Sequence, residues 1–134
     1  MSDEDARKRL GPTNSISWNV GHLAWQEQRY FLFYAGSEML YPDIQEQFAF
    51  RAPGSTPPLA DMVEKWRKIT SAADGFLDAV DTARLLEMAR STAGKPITSF
   101  GNLLQRTIYH YWYHNGENQA IRQQLGHTDL TYLF

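Results

Sequence analysis

Apolar positions recur at three- and four-residue steps over most of the chain, which is the repeat of amphipathic helices rather than of strands. The clearest run is Leu59, Met62, Val63, Trp66, Ile69, Ala73, Phe76, Leu77 and Val80; it predicts a helix capped by Thr56 with Pro57 in its first position. An earlier run passes through Trp18, His22, Trp25 and Arg29, with Asn14 or Ser15 as its cap and an end near Gly36. The last helix is expected from Thr98 or Ser99 to about Leu125, closed by Gly126. Its inner stripe reads Leu103, Thr107, His110, Tyr111, His114, Asn118, Ile121 and Leu125. Ahead of all three, Ser2 caps a helix of barely two turns, Asp5 takes the capping-box position, and Gly11-Pro12 stop it after Leu10.

Between residues 36 and 56 the helical repeat breaks at Pro42, Pro53 and Gly54, leaving a long connection with room for one short strand at Phe48-Ala49-Phe50. Residues 81–96 hold a short helix through Leu85, Leu86 and Met88 that Gly94 and Pro96 interrupt. No internal repeat or low-complexity tract is present. The expected fold is all-α: one domain, residues 1–134, forming a four-helix bundle with a long crossover between helices 2 and 3 and a first helix that is short or absent. Three long helices in place of four predict an exposed apolar seam, covered by a partner chain in a homodimer or by a longer native N-terminus.

Composition narrows the function. At 134 residues, 43% hydrophobic and 21% charged, the chain has the balance of a folded domain. A formal net charge of −2 provides no basic surplus for nucleic acid or an anionic membrane. No segment reaches the ~20 apolar residues of a membrane span, and the charged first ten residues lack the core of a signal peptide; a cytoplasmic location is the expectation. With no cysteine, thiolate sites and cysteine nucleophiles are excluded, so any metal must use nitrogen or oxygen ligands.

His110 and His114 stand four apart on the inner stripe of the last helix, where two imidazoles project from one face. A third nitrogen must come from another helix, and His22 among Trp18, Val20 and Trp25 is the available partner. Burying three imidazoles without a shared purpose is costly; together they predict one divalent ion. Such ligands suit zinc, nickel, iron, copper and, less well, manganese. Gln26 and Glu117 are spaced to orient an imidazole from behind, although a solvated helical side chain accounts for either one equally well or better. Arg29, two turns beyond His22, is spaced to hold a substrate carboxylate or thiol, although most arginines so placed are surface residues. His127, after Gly126, suits the unpaired carbonyls of a helix end and is left outside the metal set.

The segment Asn14-Ser15-Ile16-Ser17-Trp18-Asn19-Val20-Gly21-His22-Leu23-Ala24 resembles the histidine-bearing second helix of the DinB-like metalloprotein superfamily. Tyr109-His110-Tyr111-Trp112-Tyr113-His114-Asn115-Gly116-Glu117-Asn118 resembles its fourth-helix His-x-x-x-His element. The two match in order and separation. The resemblance implies a four-helix bundle with His22, His110 and His114 on one side of a divalent ion and water or substrate on the other. It also implies a departure, since that family's long first helix is missing or reduced here. Members of known activity include thiol-dependent S-transferases and mycothiol-dependent maleylpyruvate isomerases.

Three functions follow as expectations. One is a metal-dependent transferase or hydrolase acting on a small molecule, with a low-molecular-weight thiol as the leading co-substrate. Another is a non-catalytic module in which the metal staples helices together. A metal-free interaction domain built on the aromatic helices is a third.

Overall fold

A computed structural model describes residues 1–128 and 130. Three long helices carry the structure: α2 (Ile16–Glu27), α4 (Leu59–Leu77) and α6 (Phe100–Gln124), with short α1 (Asp3–Arg7), α3 (Ile44–Phe48) and α5 (Thr82–Leu86) between and before them. Both α4 and α6 pack on α2, while α1 lies against α2 and α4. This is the all-helical bundle expected, with its first helix stunted to five residues.

The start signals held where a side chain supplies the cap. Ser2, Ser15 and Ser99 accept from the backbone N–H three residues on, at Asp5, Trp18 and Asn102. Gly36 and Gly126 adopt positive φ just past the segments they end. The first helix stops at Arg7 rather than Leu10, because Lys8 turns to an extended conformation.

α4 begins two residues later than expected. Pro58 holds an extended conformation, and the residue before a proline is itself kept from helical angles, so neither Pro57 nor Thr56 can start or cap the helix. The free N–H of Leu59 is instead capped from another element, by Asp3 Oδ1 of α1 at 2.7 Å. Its other end comes at Leu77, short of Val80.

Two more differences lie in the connections. Phe48-Ala49-Phe50 forms no strand; Phe48 closes α3 with its ring buried, and Phe50 points outward, 73% exposed. Residues 81–96 hold α5, and then β1 (Met88–Arg90) pairs antiparallel with β2 (Pro96–Ser99) around the turn containing Gly94. Beyond Glu27 the second helix widens into a π-helical turn, Gln28–Phe33, with i→i+5 bonds such as Tyr34 N–H to Arg29 O at 3.0 Å.

Eleven of the twelve residues of α2 are buried, so this helix is the core element rather than an amphipathic wall. Its Trp18 and Trp25 pack with Ile44, Phe48, Met62 and Ile69 in one cluster, and Phe31 of the π-helical turn packs with Ala73, Phe100 and Leu103 in another. Along one stripe of α2 its polar groups are met by the crossover. Ser15 Oγ donates to Ser55 O, Trp18 Nε1 to Pro53 O, His22 Nδ1 to Phe48 O, and Trp25 Nε1 to Gln45 Oε1. Gln28 completes the series by exchanging two bonds with the Tyr41 backbone. A helix running one way and a loop running the other are thereby joined rung by rung.

Close approach between them needs Gly21, whose added Cβ would stand 2.9 Å from both Met62 Sδ and Phe48 Cδ1. Gly21→Ala is therefore expected to destabilise by about 1–3 kcal/mol through overpacking. Gly116→Ala on α6, where a Cβ meets nothing within 4 Å, should stabilise by up to ~1 kcal/mol from helix propensity. Urea denaturation of the two variants checks the contrast; equal effects would remove the packing explanation.

Candidate metal centre

α2 and α6 place His22, His110 and His114 together, with one ligand atom from each lying within 4.8 Å of the others. The Nε2 atoms converge: His110 Nε2 is 3.2 Å from His22 Nε2 and 3.0 Å from His114 Nε2. His22 and His114 are buried and His110 is half-buried.

What faces the other nitrogen of each ring decides the chemistry. His22 Nδ1 lies 2.6 Å from Phe48 O, His114 Nδ1 lies 2.9 Å from Glu117 Oε2, and His110 Nδ1 meets Gln26 Oε1 at short range. A carbonyl and a carboxylate only accept, and the Gln26 oxygen does likewise, so each Nδ1 carries its proton and each Nε2 is left as a bare lone pair. The His110 lone pair faces those of His22 and His114 at 3.2 and 3.0 Å, and such lone pairs repel unless a cation lies between them. Nitrogens held at ~2.0–2.1 Å from one tetrahedral ion would stand ~3.3 Å apart, so the observed spacing fits such an ion.

Burial keeps the three rings neutral and available. It is the largest cause lowering the affinity of each for protons: His110 falls to about 3 and His114 to about 4, helped by the neighbouring imidazoles, and His22 is lowered despite its bond to Phe48 O. Trp18 and Trp25 enclose His22, with stacked ring centroids at 4.9 and 5.1 Å.

Behind the rings lies a further polar layer. Asn19 Nδ2 donates to Glu117 Oε2 at 2.9 Å and to Asn118 Oδ1 at 2.8 Å, fixing the carboxylate that receives the His114 proton. On the adjoining face of α6, Tyr111 donates to buried Glu27 at 2.5 Å and accepts from Trp66 Nε1 of α4. Burial pushes the Glu27 carboxyl above its usual range.

All three histidines singled out in the sequence thus meet, and Gln26 and Glu117 each contact one of them. Arg29 does not join this group; it lies over the Trp25 ring, with its guanidinium carbon 5.4 Å from the centroid. His127 is elsewhere, 3.3 Å from Asp5. Sequence reasoning missed two participants. The Phe48 carbonyl leaves no mark in a side-chain pattern, whereas Asn19, an amide on an apolar helix three residues before His22, was a signal available to be read.

Among the described residues no helix is long and apolar enough to cross a membrane. The architecture defines a helical protein with a three-histidine group able to hold a metal ion. The chain matches the DinB superfamily over residues 1–117 and belongs to that superfamily. Comparison with curated proteins gives no match.

The depressed proton affinities set a direction for stability in the metal-free protein. Unfolded histidines titrate near ~6.5, so below that pH the unfolded chain takes up protons that the folded chain refuses. Stability is then full above about pH 6.5 and falls as the pH drops toward the folded values of about 4 and about 3. Thermal denaturation between pH 8 and 4 should show this decline, and His110→Ala should flatten it; an unchanged slope would show that these rings do not carry it.

Proposed function

We propose that this chain is a metal-dependent enzyme acting on a small molecule, with His22, His110 and His114 as ligands through Nε2 and thiol transfer as the leading reaction over hydrolysis. The single observation behind this reading is the set of three unprotonated Nε2 atoms turned on one another, each ring's Nδ1 being held by an acceptor. When bound, the ion supplies Lewis acidity that makes a thiol or water reactive at neutral pH. Zinc, nickel and iron suit the donors, and manganese less well.

The chain's own residues orient and shield. Phe48 O, Gln26 and Glu117 fix the ring tautomers, and Trp18 and Trp25 keep water from His22. Neutral imidazoles leave the ion's charge in place, and Glu117 is the one carboxylate bonded to a ligand ring among the described residues.

Elemental analysis of protein purified without chelator or nickel resin should find about one ion per chain. His110→Ala or His114→Ala should remove most of it, and Glu117→Gln should weaken binding ~10- to 100-fold. Unchanged metal content in His110→Ala would overturn the ligand assignment. Loaded protein is then assayed with glutathione, bacillithiol or mycothiol and an electrophile, and with ester and amide substrates. Metal-dependent turnover is expected, and its absence with the ion in place would leave the non-catalytic reading.

That second reading has an observation of its own. Ile108, Tyr109, Trp112 and Tyr113 are 52, 64, 49 and 67% exposed on one side of α6, a continuous apolar patch of the kind that marks an interaction surface. We propose a homodimer through this side. Light scattering at micromolar concentration should report a dimer that Tyr109→Lys dissociates; a stable wild-type monomer would exclude it.

A further inference from the structure

Arg29 follows His22 by seven residues on the same stripe of α2, where the helix passes into its π-helical turn. Its guanidinium lies over two rings, 5.4 Å from the Trp25 centroid and 5.3 Å from that of Tyr34. Nε donates to Tyr34 OH at 2.6 Å, a pairing of residues five apart that the i→i+5 bonding of the turn brings about. Held there, the group is half-buried, and among the described residues no carboxylate balances its charge. Its remaining N–H donors have no protein acceptor among the described residues.

Arg29 borders a cleft of about 550 Å³, within the size range of small-molecule sites. Among the described residues it is the only charged side chain in the lining. Gln45, Ser91 and Thr92 supply polar groups, and Phe33, Met39 and Phe50 supply apolar wall. A fixed, planar cation with unused donors is matched by a carboxylate, which accepts two parallel N–H bonds. One cation balances one negative charge, whereas a dianionic phosphate would leave a charge unpaired in an otherwise neutral cleft. The apolar wall of Phe33, Met39 and Phe50 favours a flat hydrocarbon body behind that carboxylate.

We propose that this cleft binds a small organic acid with a planar apolar body, its carboxylate on Arg29. The Trp25 indole that carries Arg29 also stacks on His22, centroid to centroid at 5.1 Å. The acid is therefore held one ring away from the three-histidine group. Its assignment as the substrate rests on the metal-dependent reading above; its binding does not.

The probe is benzoate, with benzamide as its uncharged isostere, titrated into metal-free protein and followed by the Trp25 indole N–H resonance, assigned with Trp25→Phe. Benzoate should bind at concentrations on the order of 10 mM or below and benzamide at least about tenfold more weakly. Arg29→Met should weaken benzoate by about tenfold or more, Arg29→Lys by less, and neither should change metal content. Benzoate binding should survive in His114→Ala, which separates this cleft from an anion held at the histidines. Equal affinity for the two probes, no benzoate binding, or binding lost in His114→Ala would each overturn the proposal. The first comparison needs no variant, and it is independent of whether the loaded protein turns over.

Discussion

The series of hydrogen bonds between one stripe of α2 and the antiparallel crossover is the constraint on which the rest of the structure depends. A helix buried on nearly every side has nowhere to put a polar group unless a partner meets it inside. A long loop packed on such a helix has the same difficulty with its carbonyls. Ser15, Trp18, His22, Trp25 and Gln28 solve both at once by bonding to residues 55, 53, 48, 45 and 41 in turn. Each rung is modest by itself, about 1 kcal/mol net, but breaking one strands a buried partner at a higher cost.

His22 is one of these rungs, which links folding to chemistry. The bond that helps seat the crossover is also the one that keeps the proton on Nδ1 and leaves Nε2 bare. Gln26 and Glu117 do the same for the other two rings from helical positions. Three acceptors from α2, α3 and α6 thus set one protonation pattern, and burial holds it across the neutral range.

Much of this was legible in the chain. The caps at Ser2, Ser15 and Ser99, the stripes of α2 and α6, and the histidine spacing are local features, and local rules read them. Gln26 and Glu117 were legible as spacing, yet the same spacing fits a solvated side chain; only burial and a bonded partner decide between the two. What local rules cannot see is a cap or partner supplied from far along the chain. Asp3 capping Leu59 moved the start of α4, and the Phe48 carbonyl entered the centre unannounced. The hairpin at Met88–Arg90 and Pro96–Ser99 was hidden because Gly94 and Pro96, read as breakers of a helix, are equally the punctuation of a turn. The π-helical turn has no signature in apolar periodicity, since it alters which residues share a face without altering their identity.

The Phe48 rung has a thermodynamic consequence. If the crossover frays at that point, His22 loses the acceptor that fixes its tautomer, and the imidazole is free to move its proton to Nε2. Order in the loop and availability of the lone pair are then a single variable. A cation held by the three nitrogens would draw on the loop's local stability and add to it in equal measure, so the segment from Tyr41 to Ser55, outwardly a connection, would be thermodynamically part of its site.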